Sequence, residues 1–227
     1  MAHDLVVYGV KGSPFVRKVT IALAEKSLPY DHEQVSIFPP PDWFAEISPL
    51  KRIPVLRDRS VGAEGKAGTI ADSSAILAYL DRKYPEPALL PADPYQAARA
   101  LWFEEYADSI MAGTIGMGMF RPVIVNRMMG KDPDIAKARE TLETKCPEFF
   151  DYFEGEIDGE FLAGGAFSIA DIALMCQLIN FRFAGGTIDA ARWPKLSAYT
   201  DAMLERPSIK AAFEEESAFF PPVDLAA

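Results

Sequence analysis

The sequence predicts a two-domain α+β protein in which a βαβ-ββα unit is followed by an all-helical domain. Short aliphatic runs alternate with amphipathic stretches over the first 84 residues, as in a small mixed sheet with helices. Four prolines then crowd residues 85–94, which makes this stretch the best linker in the chain. The segments beyond it show helical spacing and no strand run of comparable length. We therefore predict domains over residues 1–84 and 93–227, joined by a linker over 85–92.

The first domain begins with a β-branched run that ends at Gly9. Ser13-Pro14 then marks a helix start, because serine caps a helix well and proline at the first helical position needs no N–H. An apolar stripe at helical spacing follows, and the helix is expected to end near residues 27–29. The same signals predict the remaining elements: strands at 30–35, 53–56 and 69–71, a loop at 38–43 and a helix at 73–83.

In the second domain, proline and glycine separate five predicted helices, with Pro122 and Pro133 between the first two. We place these helices near residues 94–118, 133–155, 169–183, 193–205 and 207–217. Ser168 to Asp171 has the form of a capping box, with aspartate in place of the usual glutamate. We assign this motif to folding.

Composition excludes several functional classes. The 227 residues carry a net charge of −10, so a phosphate backbone would be repelled and nucleic acid is not an expected partner. No apolar run approaches the roughly 18 residues that span a bilayer, and the start of the chain lacks a signal peptide. Two cysteines suit a reducing compartment, and neither they nor the two histidines have metal-ligand spacing. We predict a cytoplasmic protein with no membrane association and no metal.

The charge is unevenly divided along the chain. Residues 1–84 carry 11 basic and 10 acidic side chains, whereas residues 85–227 have a net charge of −11. The first domain is therefore the more favourable host for an anionic small molecule, although solvated surface charge would give the same numbers.

Ser13 is the first candidate for chemistry. Taken alone, Ser-Pro is a helix cap with no function required. Its position adds a second interpretation, because loops at the carboxyl ends of strands in such units form ligand crevices. There the hydroxyl and the first helix amides would point at one place, and that place would favour a thiolate.

Two further segments allow both a structural and a functional interpretation. Pro54 starts a strand, which usually marks only an edge or a turn, but a cis bond after Ile53 would expose the Ile53 backbone to a peptide-like ligand. Asp72 and Ser73 precede a helix. They are a cap, a binding site for the amino-acid head of a ligand, or both.

Four segments in this order resemble the cytosolic glutathione transferase superfamily. The run S-P-F-V-R-K-V-T-I-A-L at 13–23 resembles its serine-type catalytic segment, as in tau-like and several bacterial members. S-P-L-K-R-I-P-V-L at 48–56 resembles the segment with the cis-proline, and A-D-S-S-A-I-L-A-Y-L at 71–80 the glutamyl-binding segment. F-S-I-A-D-I-A at 167–173 resembles the family's capping box. The resemblance spans nearly the whole chain but does not assign a class.

This resemblance implies a thioredoxin-like first domain, an all-helical second domain and a homodimer that binds glutathione as substrate or cosubstrate. It implies that Ser13 contacts the thiol and that Ile53, before a cis Pro54, holds the cysteinyl unit. Asp72 and Ser73 would bind the γ-glutamyl end, and Lys51 or Arg52 the glycine carboxylate. The expected second substrate is a small electrophile, as in detoxification, and we build its apolar pocket from Phe38, Trp43, Ile115, Met119 and Phe120.

Several features depart from the family pattern or leave alternatives open. Asp72 replaces the common glutamate, and the stretch 57–70 is longer than usual. Tyr8, at the end of the first strand, is an alternative source of the catalytic hydroxyl. A glutathione-dependent isomerase or dehalogenase and a non-catalytic glutathione-binding relative are alternative functions. A thioredoxin-like redox protein is disfavoured because residues 13–16 contain no cysteine pair.

Overall fold

The structure is a computed structural model that describes residues 2–36 and 39–225. The chain divides into two compact units, residues 1–89 and 90–227. The division falls inside the segment 85–92 that the sequence predicts as a linker.

The first unit contains a small sheet and three helices, in the order βαβ-α-ββα. Pro14 opens the first helix and Asp72 caps the last. The elements are β1 (Leu5–Tyr8), α1 (Pro14–Glu25), β2 (Tyr30–Glu33), α2 (Phe44–Ile47), β3 (Val55–Asp58), β4 (Thr69–Ile70) and α3 (Ser73–Lys83). The prediction missed only the single-turn helix α2, which lies in the stretch that follows the predicted proline-rich loop.

Among the described residues the sheet has four strands in the order β2-β1-β3-β4. β1 runs parallel to β2, while β3 is antiparallel to both β1 and β4. Tyr8 lies opposite Val55, and Leu56 lies opposite Ile70. This register places the carboxyl ends of β1 and β4 beside the amino end of β3.

Asp58, at the end of β3, is a buried carboxylate that joins the sheet to α3. It accepts hydrogen bonds from the Tyr79 hydroxyl at 2.7 Å, from the Ser60 backbone N–H at 2.9 Å and from the Lys83 ammonium. Burial alone would raise the pKa of Asp58, but the bonds from Lys83, Ser60 and Tyr79 outweigh it and lower the pKa to about 2. The charged form of Asp58 therefore stabilises the folded unit.

Within its described residues, the second unit contains helices and connecting loops and no strand. Its first helical segment is continuous from residue 94 to 128, and its α-helical parts are α4 (Pro94–Tyr106), α5 (Ala112–Ile115) and α6 (Asn126–Met128). Two π-helical stretches, Ala107–Met111 and Gly116–Val125, alternate with them. The remaining helices are α7 (Ile135–Thr144), α8 (Cys146–Glu156), α9 (Ile169–Phe183), α10 (Pro194–Leu204) and α11 (Pro207–Ser217).

Two predicted helix boundaries in this unit were wrong. We expected the first helix to end near residue 118 because of Pro122, but Pro122 lies inside the π-helical stretch and the helix continues to residue 128. Proline removes one intrahelical hydrogen bond, and here the helix departs from the α-helical pattern around it without ending. The helix predicted over 133–155 is divided at Lys145, because Pro147 sits in the first turn of a new helix.

The capping box at the start of α9 is present. The Ser168 hydroxyl accepts from the Ala170 N–H at 3.3 Å, and Asp171 accepts from the Ser168 N–H at 2.8 Å. Asp171 also accepts from the Leu162 N–H and from the Tyr199 hydroxyl, at 3.0 and 2.8 Å. Because nearly all of α9 is buried, water cannot replace these bonds. Among the described residues, no helix is long and apolar enough to cross a membrane.

Asp171→Ala is expected to lower stability by at least about 2 kcal/mol, the upper end of the range for a lost cap, because it leaves buried donors unpaired. Thermal and urea unfolding measure the loss. Asp93→Ala is the matched control, since Asp93 caps α4 at an exposed site with one bond to the Gln96 N–H. The Michaelis constant for glutathione should stay near wild type in the folded fraction. A stable Asp171→Ala protein with impaired glutathione binding would contradict the folding role.

Asp58→Asn is expected to destabilise the protein by on the order of 2 kcal/mol near neutral pH, as the lowered pKa of Asp58 implies. The wild-type advantage should be complete above the ordinary aspartate pKa of about 4. It should disappear as the pH falls towards about 2, where the folded-state carboxylate also takes up a proton. Urea unfolding of both proteins across this range measures the difference. Asp31→Asn, at a partly exposed ion pair with Arg59, should have a much smaller effect; equal effects would contradict the prediction.

Candidate active site

The candidate site lies at the end of the sheet where β1 and β4 finish and β3 begins. Gly9 shows how closely the segments approach there, since a Cβ added to it would lie 2.5 Å from Val16 Cγ2 and 3.4 Å from Ile53 Cβ. Gly9 also has a φ of +156°, which side chains disfavour. The loop after β1, the first turn of α1 and the start of β3 therefore meet at one place.

Ser13 caps α1 at this place. Its Oγ accepts from the Val16 N–H at 3.5 Å, while its carbonyl accepts from the Arg17 N–H at 2.9 Å. Within residues 2–36 and 39–225, no acceptor takes the Ser13 hydroxyl proton. The side chain is half-buried, so it keeps access to a ligand. A hydroxyl that only accepts within the protein retains its proton for a bound anion.

The turn before β3 presents a backbone segment and two cations. Ser48 fixes this turn, because its hydroxyl donates to the Arg52 carbonyl at 2.7 Å and accepts from the Arg52 N–H at 3.0 Å. The Ile53–Pro54 bond is cis, and in the described chain the Ile53 backbone has no hydrogen-bond partner. Lys51 and Arg52 are exposed, and neither side chain forms an ion pair with a described residue. The turn therefore presents backbone groups that can form hydrogen bonds with a peptide-like ligand, beside two cationic side chains that have no ion-pair partner in the described chain.

The start of α3 is the third part of the site. Asp72 is exposed and caps the helix by accepting from the Ala75 N–H at 2.9 Å, and Ser73 is buried beside it. Behind them, the fully buried Lys18 of α1 donates to the Ser74 hydroxyl at 3.1 Å. The sequence analysis overlooked both Lys18 and Ser48, since a single lysine or serine gives no pattern. Only the segment resemblance around Ser48 could have indicated it.

Tyr8, the alternative catalytic hydroxyl, is engaged within the protein. It is buried, and its oxygen accepts a hydrogen bond from Arg57 Nε at 3.2 Å. Its ring packs edge-to-face against Trp43, with the centroids 6.0 Å apart. This environment gives Tyr8 a packing role.

The residues proposed for the electrophile pocket have different surroundings. Trp43, in the first unit, is 50% exposed. In the second unit, Phe120 is partly buried and packs edge-to-face on Phe220, whereas Ile115 and Met119 are fully buried. Met119 Sδ lies 3.8 Å from Cys146 Sγ, as expected for a core position. Burial does not support a ligand contact for Ile115 or Met119, and Phe38 lies outside the described residues.

Both cysteines are buried and neither is in a disulfide. Burial raises the pKa of the Cys146 thiol to about 12, so Cys146 is not suited to act as a nucleophile. The described residues contain no group of three or more histidine, cysteine or carboxylate side chains arranged to hold a metal ion.

Comparison with known proteins identifies the family. Residues 7–88 match the model of the glutathione S-transferase N-terminal domain, and residues 119–216 match that of its C-terminal domain. The chain belongs to the glutathione S-transferase family. It has the thioredoxin-like first domain and the helical second domain of that family, which confirms the predicted fold.

Among its relatives in the glutathione S-transferase family is the probable glutathione S-transferase DHAR1 of Oryza sativa subsp. japonica. The two are 27% identical over 88% of this chain and 85% of the relative. The probable maleylacetoacetate isomerase 1 of Drosophila melanogaster is 28% identical over 80% of this chain and 71% of the relative. The crystal structure of a glutathione S-transferase from Rhodospirillum rubrum F11 matches with a TM-score of 0.84 at 28% identity, over 96% of each chain.

Proposed function

We propose that this protein is a glutathione transferase in which Ser13 stabilises the thiolate of bound glutathione. The observation that carries the proposal is the arrangement at one end of the sheet. There Ser13, whose hydroxyl proton has no acceptor in the described chain, caps the helix whose first turn meets the Ile53 segment at Gly9, and the Ile53 backbone has no hydrogen-bond partner there. Family membership supports glutathione as the ligand.

The three parts of the site match the three parts of the tripeptide. Asp72 and Ser73, with the first amides of α3, suit the γ-glutamyl ammonium and carboxylate. The Ile53 backbone suits the cysteinyl unit before Pro54. The free cations Lys51 and Arg52 suit the glycine carboxylate.

The interactions available at Ser13 are strong enough to lower the pKa of a bound thiol. A free thiol has a pKa of about 8.5, and lowering it by two units requires about 2.7 kcal/mol of preferential stabilisation of the thiolate. A hydrogen bond to a charged group contributes about 1.5–3 kcal/mol, and a helix start adds about 0.3–1 kcal/mol. Ser13 and the amino end of α1 therefore reach the required range with no general base.

The reaction that follows needs an electrophile beside the sulfur. The thiolate attacks an electrophilic carbon of an apolar substrate, a C–S bond forms and the leaving group departs with its bonding electrons. Within the first unit, Trp43 is the best-supported residue for the apolar pocket, since half of its surface is exposed. We also propose a cytoplasmic homodimer. Family membership and exposed apolar side chains at Leu101, Trp102, Ile110 and Met117 support the dimer.

A glutathione-dependent isomerase is the second candidate, favoured by the similarity to the probable maleylacetoacetate isomerase. In that reaction glutathione adds to the substrate and leaves again, so it is not consumed.

Retention on immobilised glutathione tests binding for both candidates. An aryl halide assay and a cis-to-trans isomerisation assay of an unsaturated diketo acid, run in parallel, then distinguish conjugation from isomerisation. Failure of retention and of both reactions would contradict the proposal.

Ser13→Ala is expected to lower turnover by roughly 10²-fold, as loss of one well-aimed donor often does. The ultraviolet thiolate absorbance of bound glutathione should shift to higher pH. Two variants separate chemistry from capping: Ser13→Asp keeps a good cap without a hydroxyl and should be impaired, while Ser13→Thr keeps both and should retain activity. Full turnover in Ser13→Ala would reject the assignment, and Tyr8→Phe would be tested next.

Asp72→Asn keeps the shape of the side chain and a good helix cap while removing the charge. It should weaken glutathione binding by about 1.5–3 kcal/mol, the range for a charge-assisted hydrogen bond, as measured by calorimetry. Asp93→Asn makes the same change at the start of α4 and should leave binding unchanged. An Asp72→Asn protein with wild-type affinity would show that Asp72 only caps α3.

A further inference from the structure

Arg57 of β3 is a buried guanidinium whose donors are directed at one loop and one side chain. Its Nη atoms donate to the carbonyls of Gly65 at 2.6 Å, Ala67 at 2.8 Å and Gly62 at 3.4 Å. Its Nε donates to the Tyr8 hydroxyl at 3.2 Å. A buried arginine requires partners for its donors, and here the backbone of residues 59–68 supplies most of them.

This loop makes up most of the stretch between β3 and Asp72. Turn hydrogen bonds shape it, including those from the Val61 and Gly62 N–H groups to the Asp58 carbonyl, both 3.0 Å. Most of its residues are exposed, so apolar packing contributes little to holding it. Arg57 supplies the buried contacts to residues 62–67 of the loop, while the buried Asp58 holds Ser60.

Arg57 is connected to α2 through two sets of contacts, one made by Tyr8 and one made by the loop. The Tyr8 ring packs against the ring of Trp43, the residue at the start of α2. On the loop side, a Cβ added to Gly65 would lie 2.8 Å from Glu46 Oε1, so the loop also touches α2. A single-turn helix with no side-chain cap is not stable on its own and takes its position from such neighbours.

We propose that Arg57 is a positioning residue that holds the loop of residues 59–68 and, through Tyr8, fixes Trp43 as a wall for the electrophile. The inference rests on the proposed function, because it assigns Trp43 to the second substrate. Arg57 acts through Tyr8 and the loop and does not contact the reacting atoms. Ser13 is held by the cap of α1 instead, so thiolate formation is independent of Arg57.

The test is Arg57→Met, which keeps the length of the side chain and removes its donors. The Michaelis constant for the aryl halide should rise about tenfold, with kcat at saturation and the pH of the thiolate signal unchanged. Hydrogen exchange at the Gly62, Ala67 and Thr69 amides should accelerate about tenfold or more. Arg59→Met is the matched control, since the Arg59 side chain, at the first position of the loop, pairs with Asp31 and donates to no loop carbonyl, and it should change none of these.

Two further variants cover the case in which Arg57→Met does not fold. Tyr8→Phe removes only the route to Trp43, so it should raise the Michaelis constant for the aryl halide and leave loop exchange slow. Arg57→Lys keeps the charge and some donors, and should fall between wild type and Arg57→Met. An unchanged Michaelis constant in Tyr8→Phe and Arg57→Lys, or a shifted thiolate signal in either, would overturn the proposal.

The exchange measurement does not depend on catalysis. If the wild-type protein has no conjugating activity, the proposed function fails, and exchange at the loop amides still shows whether Arg57 holds the loop. If the wild type is active but loop exchange in Arg57→Met equals wild type, only the positioning role is rejected.

Discussion

The antiparallel pairing of β3 with both β1 and β4 is the constraint on which the candidate site depends. Because Tyr8 lies opposite Val55 and Leu56 opposite Ile70, the ends of β1 and β4 and the start of β3 reach the same end of the sheet. Three segments that are far apart in sequence thereby become one surface. A slip of one residue would turn alternate side chains to the other face of the sheet and separate Ser13, Ile53 and Asp72.

At this surface, features that fold the chain also present its chemistry. Ser13 and Asp72 cap α1 and α3, and the same helix starts have free amide dipoles that favour anions. Ser48 closes the turn that leads to Ile53, and the side chains of Lys51 and Arg52 in this turn have no partner among the described residues. A cap gives a side chain one fixed direction, and such pre-organisation reduces the entropic cost of binding. Structural and functional interpretations of these residues are therefore compatible.

Local sequence signals predicted the elements that local chemistry determines. Ser13-Pro14, Asp72 and the capping box at Ser168 are such signals, and each helix begins where they place it. A helix end was placed wrongly at Pro122, which lies within a π-helical stretch, and no local signal predicted that Arg57 is buried against a loop of its own unit. Hydrophobic spacing marked Ile115 and Met119 as apolar, but it could not distinguish a core position from a pocket. Family resemblance located the site segments, but Lys18 and the Arg57 contacts required the structure.

The buried cations change the meaning of the charge distribution. The near-neutral first 84 residues indicated a favourable host for an anionic ligand, yet Lys18, Lys26 and Arg57 are buried there. Lys26 donates to Asp81 and to the carbonyls of Tyr84 and Pro87, as Arg57 does to its loop. Since a buried ammonium or guanidinium tolerates few arrangements of its partners, each of these side chains specifies the position of one segment. Much of the basic charge of the first unit therefore acts within the fold, and Lys51 and Arg52 remain as the exposed cations beside the candidate site.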